Sequence, residues 1–162
     1  VEPEIAIQLG RDLRGADVTP QQVADATAAV RPAIEVVDSR YRDYRFRSVD
    51  NIADNSSAAR YVLGEPRTLA QVGDLRRVEV QLVIDGRVID QGFGAAALDS
   101  PLAAVAWLAR HLAARGEGLL AGEVVLTGGL TRAYALPVGA AAEARFSGGF
   151  GEVRLRHAPG GA

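Results

Sequence analysis

The chain has 162 residues, of which 48% are hydrophobic, and this is enough for one domain with a sizeable core. It has no cysteine, which excludes disulfides, thiolate catalysis and zinc–thiolate sites, and its net charge of −2 gives no overall attraction to nucleic acid. All 18 basic residues are arginine and methionine is absent, so we expect residues 1–162 to be part of a longer polypeptide that supplies any lysine chemistry. No apolar run approaches the roughly 20 residues of a membrane span, and we expect a cytoplasmic protein.

Acidic side chains interrupt two apolar strands. Residues two apart in a strand point to the same face, so Glu2 and Glu4 emerge side by side at the start of the first predicted strand. Glu35 lies in a β-branched run, 33–37, where an unpaired carboxylate would be costly. The three acids could converge on one Mg²⁺ or Mn²⁺ ion. Spacing alone leaves a second interpretation open, in which Glu2 and Glu4 lie on a solvated edge and Glu35 pairs with an arginine.

Two helices have clear start signals. Thr19 can cap a helix whose first residue is Pro20, and Gln22 completes a capping box, so a helix is predicted from residue 20 to about residue 30. Ser100 and Pro101 begin a second helix by the same logic, and it is predicted to end near residue 116.

Short β-branched runs predict several further strands. The pair Asp85-Gly86 suits a type I′ turn and gives the strongest hairpin signal in the chain, whereas 64–77 is predicted to be a loop. The remaining strands are predicted at 60–63, 78–84, 87–89, 124–126, 142–146 and 152–156. Many short strands with two helices indicate the α+β class, as a rolled mixed sheet with helices packed outside. We expect a single domain over residues 1–157, followed by a flexible tail at 158–162.

Residues 39–47 combine four arginines with three aromatic side chains. Such a mixture can bind single-stranded nucleic acid, but aspartates lie in and beside the same run and the rest of the chain is not basic, so nucleic acid is not expected as a partner. Carboxylate recognition by the guanidinium groups, or ion pairs at a subunit contact, explains the segment better.

Two polar turns are further candidates for a site. Thr127, Gly128 and Gly129 follow a predicted strand, and glycine lets the main chain approach a ligand closely, so this turn could present N–H groups and a hydroxyl to an anion. It could equally be an ordinary turn. Asp54 and Asn55 lie in another polar turn and could simply bond their own backbone.

Together these stretches resemble the C-terminal part of the fumarylacetoacetate hydrolase superfamily, in its branch of 2-oxo-acid hydratases and decarboxylases. The resemblance covers nearly the whole chain, and the combined match is specific although each piece alone is weak. The matching stretches are Glu2-Pro-Glu4-Ile-Ala, Pro32-Ala-Ile-Glu35, Asp38-Ser-Arg-Tyr41, Ala53-Asp-Asn-Ser56, Pro101-Leu102, Ala104-Val-Ala-Trp-Leu108 and Gly122-Glu123, with Leu126-Thr-Gly-Gly129.

The resemblance implies a set of site residues. It implies that Glu2, Glu4 and Glu35 bind one Mg²⁺ or Mn²⁺ ion, and that a functional lysine lies in an N-terminal segment outside this sequence, so the catalytic residues are not assigned. The candidates for binding substrate carboxylates are Arg40, Arg42, Thr127 and Gly128. Asp54 and Asn55 are candidates for supporting them.

The implied chemistry starts from a 2-oxo acid, which can chelate the cation through its carboxylate and keto oxygens. The implied activity is decarboxylation of 4-oxalocrotonate (2-oxo-3-hexenedioate) to 2-hydroxypenta-2,4-dienoate, in aromatic meta-cleavage catabolism. Tyr41, with aromatics at 44 and 46, and the pair Gly128-Gly129 resemble the decarboxylases more than the hydratases. The alternatives are a 2-oxopent-4-enoate hydratase giving 4-hydroxy-2-oxopentanoate, an acylpyruvate-type C–C hydrolase, and a non-catalytic metal-binding homologue.

The chain departs from the family pattern at Asp99-Ser100-Pro101, Val138-Gly139-Ala140 and Gly149-Phe150-Gly151-Glu152. None of these departures touches the three glutamates, so they bear on the substrate and not on the metal. The expected partners are a small 2-oxo acid, further copies in a homo-oligomer, and the pathway's partner hydratase or decarboxylase, with no membrane.

Overall fold

The computed structural model describes residues 1–159. Its helices are α1 (Pro20–Ala26), α2 (Ser48–Ala53), α3 (Leu69–Val72) and α4 (Pro101–Ala113). Its strands are β1 (Glu2–Leu9), β2 (Thr27–Val37), β3 (Ala58–Leu63), β4 (Glu79–Ile84), β5 (Arg87–Phe93), β6 (Val124–Leu126), β7 (Ala141–Phe146) and β8 (Gly151–Arg156). Within residues 1–159, no helix is long and apolar enough to cross a membrane.

The strands form two four-stranded sheets. The first has the order β3-β2-β1-β6 and the second the order β5-β4-β7-β8. All the pairings within these two sheets are antiparallel. The predicted α+β class is confirmed, and the roll that was expected as one mixed sheet is built from two antiparallel sheets.

Strand β1 lies at the centre of the first sheet and of the core. Ile5, Ile7 and Leu9 are at most 1% exposed and point to one face of the strand. They share the core with residues of the second sheet and of α4, among them Val80, Leu82 and Val105. The even-numbered positions 2 and 4 therefore lie on the opposite face of a strand that is held firmly on both sides by β2 and β6.

The first predicted helix begins as expected and ends early. Thr19 Oγ1 accepts from the Gln22 N–H, and the Gln22 side chain accepts from the Thr19 N–H at 2.8 Å, which completes the capping box. The prediction of helix to about residue 30 is wrong, because Thr27 already pairs with Leu9 and Val30 with Ile7. Pairing with the central strand outweighs the helical spacing of these residues.

The other elements agree more closely with prediction. The Asp85-Gly86 hairpin is confirmed, and its second strand continues to Phe93. The predicted loop 64–77 contains the short helix α3, whose capping box of Thr68 and Gln71 repeats the signal of Thr19 and Gln22. Of the predicted tail 158–162, residues 160–162 lie outside the described residues.

Candidate metal centre

The three glutamates predicted from sequence lie together on one face of the first sheet. In the pairing of β1 with β2, Glu2 stands directly opposite Glu35, and Glu4 follows two residues along β1. Residues opposite each other, and residues two apart, share a face. One carboxylate oxygen from each glutamate lies within 4.8 Å of those of the other two.

These carboxylates are withdrawn from water to different degrees. Glu4 is 1% exposed, and Glu2 and Glu35 are half-buried. Burial raises the pKa of Glu4 to about 8, against a hydrogen bond from the Gly128 N–H that favours the charged form, and the neighbouring carboxylates of Glu35 and Glu2 raise it further. Burial, followed by the charge of Glu35, also raises the pKa of Glu2. The cluster is strained by its own negative charge.

In the part of the chain that the structure describes, no arginine forms an ion pair with these carboxylates. Seven ion pairs connect side chains within residues 1–159, and none of them includes Glu2, Glu4 or Glu35. Hard divalent cations take carboxylate oxygens at about 2.0–2.6 Å, so one such ion bridges ligand atoms up to about 4–5 Å apart. The donor set, its spacing and its uncompensated charge therefore fit a hard divalent cation.

The turn after β6 holds one of the carboxylates. The hydroxyl and the N–H of Thr127 both donate to the Ile5 carbonyl, at 2.8 Å and 3.2 Å. The Gly128 N–H donates to Glu4 Oε2 at 2.7 Å. The turn thus presents an N–H to an anion, as one of the two interpretations of this motif expected, but that anion is Glu4. The predicted contacts of Thr127 and Gly128 with a substrate stay predictions, and their donors are directed at β1 and its side chain.

Gly129 was not among the predicted site residues, although it closes the same motif. A Cβ on Gly129 would lie 2.2 Å from Glu2 Oε2, far inside van der Waals contact. The motif indicated a close backbone approach, but no spacing in the sequence indicates which glycine faces which carboxylate.

Arg40 and Asp54 form a second group, in the loop that connects β2 with β3. The Arg40 Nε contacts Asp54 Oδ1 at 2.5 Å, and the guanidinium also donates to the carbonyls of Asp38, Asp54 and Ala58. Asp54 is 8% exposed and also accepts from the hydroxyls of Ser39 and Ser57. These bonds hold together the two ends of the loop, which we call its neck. The Arg40 guanidinium therefore binds groups of the protein itself, and Asp54 is its carboxylate partner.

Arg42 and Asn55 are exposed members of the same loop. Arg42 is absent from the ion pairs within residues 1–159, and Asn55 has a left-handed backbone with φ of 52°. Both arginines predicted to bind substrate carboxylates are exposed, and Arg42 is the one that forms none of these ion pairs.

The structure contains a cavity of about 660 Å³ near the start of β1 and the end of β2. It is lined by Val1 and Val36, the chain neighbours of Glu2 and Glu35, and by other mostly apolar residues, but by none of the three glutamates. Its polar lining residues are Asp38, Tyr44, Tyr134, Arg156 and His157. Because neighbouring strand residues point to opposite faces, Val1 and Val36 face away from the carboxylates, and this cavity is separate from the glutamate cluster.

Comparison with known proteins identifies the family. Residues 1–156 match the C-terminal domain of fumarylacetoacetate (FAA) hydrolase. The chain belongs to the FAA hydrolase family. The family resemblance inferred from the sequence is thereby confirmed.

Two curated members of the FAA hydrolase family carry different activities in their names. A 2-keto-4-pentenoate hydratase of Burkholderia vietnamiensis is 44% identical over 154 residues, which are 95% of this chain and 58% of the relative. A 4-oxalocrotonate decarboxylase of a Pseudomonas species is 43% identical over 142 residues, which are 86% of this chain and 53% of the relative. The chain spans somewhat more than half the length of these relatives, and its near-equal identity to both does not separate the two activities.

A solved structure of the FAA hydrolase family supports the fold. The 4-oxalocrotonate decarboxylase of Pseudomonas putida, complexed with magnesium and adipate, matches with a TM-score of 0.91 and 38% identity. The match covers 96% of this chain and 59% of that chain. Nearly every described element of this chain thus has a counterpart there.

Proposed function

We propose that this chain is the metal-binding catalytic part of a Mg²⁺- or Mn²⁺-dependent lyase that decarboxylates 4-oxalocrotonate to 2-hydroxypenta-2,4-dienoate. The observation that carries the proposal is the cluster of Glu2, Glu4 and Glu35, which is short of positive charge and spaced for one cation. The magnesium and adipate in the Pseudomonas putida decarboxylase support it, because adipate has six carbons and two carboxylates, like 4-oxalocrotonate.

In this proposal Glu2, Glu4 and Glu35 hold the cation. The Gly128 N–H donates a hydrogen bond to Glu4 Oε2 at 2.7 Å. This bond fixes the rotation of the Glu4 carboxylate and leaves its other oxygen, Oε1, as the ligand atom. When bound, the cation supplies a Lewis acid for the keto and carboxylate oxygens of a 2-oxo acid.

The substrate would lie with its 2-oxo acid end at the three glutamates. The bond between C5 and C6 breaks, the electron pair moves through the conjugated carbons to the C2 oxygen, and that oxygen takes a proton as CO₂ leaves. Arg42, exposed on the loop that follows β2, is the residue we propose for the distal carboxylate, because its guanidinium is not committed to an ion pair within residues 1–159. The chain contains no lysine, and proton transfer is not assigned to any of its residues.

The alternative is hydration of 2-hydroxypenta-2,4-dienoate, since a 2-keto-4-pentenoate hydratase is as similar to this chain as the decarboxylase is. Both reactions begin with the same binding of a 2-oxo acid or its enol at the carboxylate cluster. They differ in whether a carboxylate leaves or water adds at the far end of the substrate, away from the three glutamates.

The test incubates the full-length protein and Mg²⁺ with 4-oxalocrotonate or, in a separate assay, with 2-hydroxypenta-2,4-dienoate, and follows CO₂ release and ultraviolet absorbance. Glu35→Gln is the control, since it removes the charge and keeps the shape. Metal-dependent CO₂ release that is lost in the variant supports the decarboxylase. Consumption of 2-hydroxypenta-2,4-dienoate without CO₂ release supports the hydratase, and failure of both reactions overturns the proposed substrates.

The expected homo-oligomer and the complex with the pathway's partner enzyme also belong to this proposal. Light scattering of the protein alone, and after mixing with the partner hydratase or decarboxylase, tests both. A monomer under all conditions would contradict them without affecting the proposed metal site.

A further inference from the structure

We propose that Gly129 is a positioning residue, whose missing side chain determines where the Glu2 carboxylate lies and therefore how the cluster holds its cation. The inference rests on the proposed metal-binding function and goes beyond the three ligands. It assigns a role to a residue that makes no side-chain contact of its own.

The backbone around Gly129 is pinned to the strand that carries Glu2. On one side, the N–H and hydroxyl of Thr127 donate to the Ile5 carbonyl. On the other side, the Leu130 N–H donates to the Pro3 carbonyl at 2.9 Å. Because β1 is itself held between β2 and β6, the main chain at Gly129 cannot easily withdraw from Glu2.

An added side chain at Gly129 would collide with the Glu2 carboxylate. A Cβ would lie 2.2 Å from Glu2 Oε2, 3.1 Å from Glu2 Cδ and 3.1 Å from the Thr131 carbonyl. Since Glu2 is a half-buried side chain with rotatable bonds and β1 is fixed, the carboxylate would be the part that moves.

The neighbouring glycine serves a different purpose. Gly128 has φ of 105° and open space where a Cβ would be, so a substitution there acts through backbone strain. Gly129 is not among the glycines with positive φ, so alanine fits its backbone, and the atoms that its Cβ would approach most closely belong to the Glu2 carboxylate and the Thr131 carbonyl. A Gly129→Ala variant therefore tests the position of one metal ligand.

The experiment compares Gly129→Ala with the wild type in the full-length protein, by Mn²⁺ titration calorimetry and by thermal unfolding without metal. We expect Mn²⁺ affinity to fall by about 10–100-fold, the range found when the support of a ligand is lost. The matched control is Gly10→Ala, at the other end of β1, where a Cβ meets only Ala28 Cβ at 3.1 Å among close contacts. Its Mn²⁺ affinity should equal that of the wild type.

A second variant separates a misplaced ligand from a damaged fold. Glu2→Asp shortens the side chain and moves its carboxylate away from position 129, so adding Gly129→Ala to this variant should change Mn²⁺ affinity by less than about threefold. Gly129→Ala could also lower the unfolding temperature through the same collision with Glu2. In that case, we expect the decrease in unfolding temperature to be smaller when Glu2→Asp is also present.

Several outcomes would overturn the inference. One is wild-type Mn²⁺ affinity in Gly129→Ala, and another is an effect of Gly129→Ala that is undiminished by Glu2→Asp. If the wild type itself binds no Mn²⁺, the proposed metal function fails first and the role of Gly129 fails with it.

Discussion

The two sheets treat their carboxylates in opposite ways. On β7 of the second sheet, Glu143 is paired with Arg145 and Arg154, each with a nitrogen 2.7 Å from a carboxylate oxygen. Hydrogen bonds from Arg145 and Arg154 lower the pKa of Glu143 to about 2. On β1 of the first sheet, burial raises the pKa of Glu4 to about 8.

The difference is that arginines balance the charge of Glu143, whereas no arginine among residues 1–159 pairs with the glutamate cluster of the first sheet. The chain contains 18 arginines, which are all of its basic residues. None of the ion pairs within residues 1–159 includes a glutamate of the cluster. Keeping three carboxylates together in a partly buried place costs free energy unless a cation compensates them. The carboxylates of the first sheet therefore fit an added cation, whereas Glu143 of the second sheet already has its positive partners.

The largest expected effect is a loss of metal affinity when a carboxylate of the first sheet is removed. Glu4→Gln removes the most buried carboxylate of the cluster and keeps its shape, and we expect it to weaken Mn²⁺ binding by more than about 100-fold, beyond the range for residues that only support a ligand. Without metal, the variant should be at least as stable as the wild type, because like-charge repulsion is relieved. Calorimetric titration and thermal unfolding of the same samples measure both quantities, and a variant that loses stability but keeps its metal would contradict the comparison.

The next effect is a dependence of metal-free stability on pH. A carboxylate whose folded pKa is raised binds its proton more tightly in the folded state, so its contribution is fully present below the unfolded pKa of about 4.5 and is lost as pH rises to about 8. We expect the free energy of unfolding to fall by up to about 5 kcal/mol across this window, since the pKa of about 8 lies about 3.5 above 4.5 and a pKa difference of one corresponds to about 1.4 kcal/mol. Urea unfolding in a chelator at several pH values measures it.

Two controls isolate the contribution of the cluster to this pH dependence. Glu4→Gln should remove most of it, because the titrating group is gone. Saturating Mg²⁺ or Mn²⁺ should reverse the trend, since ligands must be deprotonated to bind the ion. Metal-free stability that stays level or increases from pH 5 to pH 8 would count against the raised pKa of Glu4.

Asp54 combines features of both sheets, because it is buried like Glu4 and forms an ion pair with an arginine like Glu143. Asp54→Asn leaves the Arg40 guanidinium without its carboxylate at the neck of the loop between β2 and β3. We expect the unfolding temperature to fall by about 5 °C and the loop to be cleaved faster by trypsin, with Mn²⁺ affinity changed by less than about threefold. A large loss of Mn²⁺ affinity would place Asp54 in the metal site instead.

Local sequence rules predicted the elements better than the contacts between them. The capping box of Thr19 and Gln22 correctly started α1, but nothing local indicated that Thr27 would leave the helix to pair with Leu9 of β1. The alternation of Glu2 and Glu4 placed both on one face. Their meeting with Glu35 depends on the register of two strands, which the family resemblance supplied and the residue spacing did not.

The same limit explains the residues that sequence reasoning missed or used differently. Gly129 approaches Glu2 across 127 positions of the chain, so only the three-dimensional structure shows that its missing side chain matters. Arg40 was expected to bind substrate because a guanidinium suits a carboxylate, and it does bind one, that of Asp54. Left-handed residues at Asn55, Ser56 and Ser57 accompany this closure of the loop, and none is a glycine that would have signalled it.

The smallest expected effect comes from the balanced cluster of the second sheet. Glu143→Gln removes the partner of two arginines whose side chains are about half exposed or more, where solvent weakens ion pairs to about 0.5–1 kcal/mol. Because the folded pKa of Glu143 is depressed to about 2, this contribution is present above the unfolded pKa of about 4.5 and is lost as pH falls towards 2, opposite to Glu4. Urea unfolding of Glu143→Gln and wild type should therefore differ at pH 7 and converge near pH 2, while Mn²⁺ affinity at pH 7 stays the same. If Glu143→Gln instead altered Mn²⁺ affinity as strongly as Glu4→Gln, the division of the carboxylates into a structural sheet and a metal-binding sheet would be wrong.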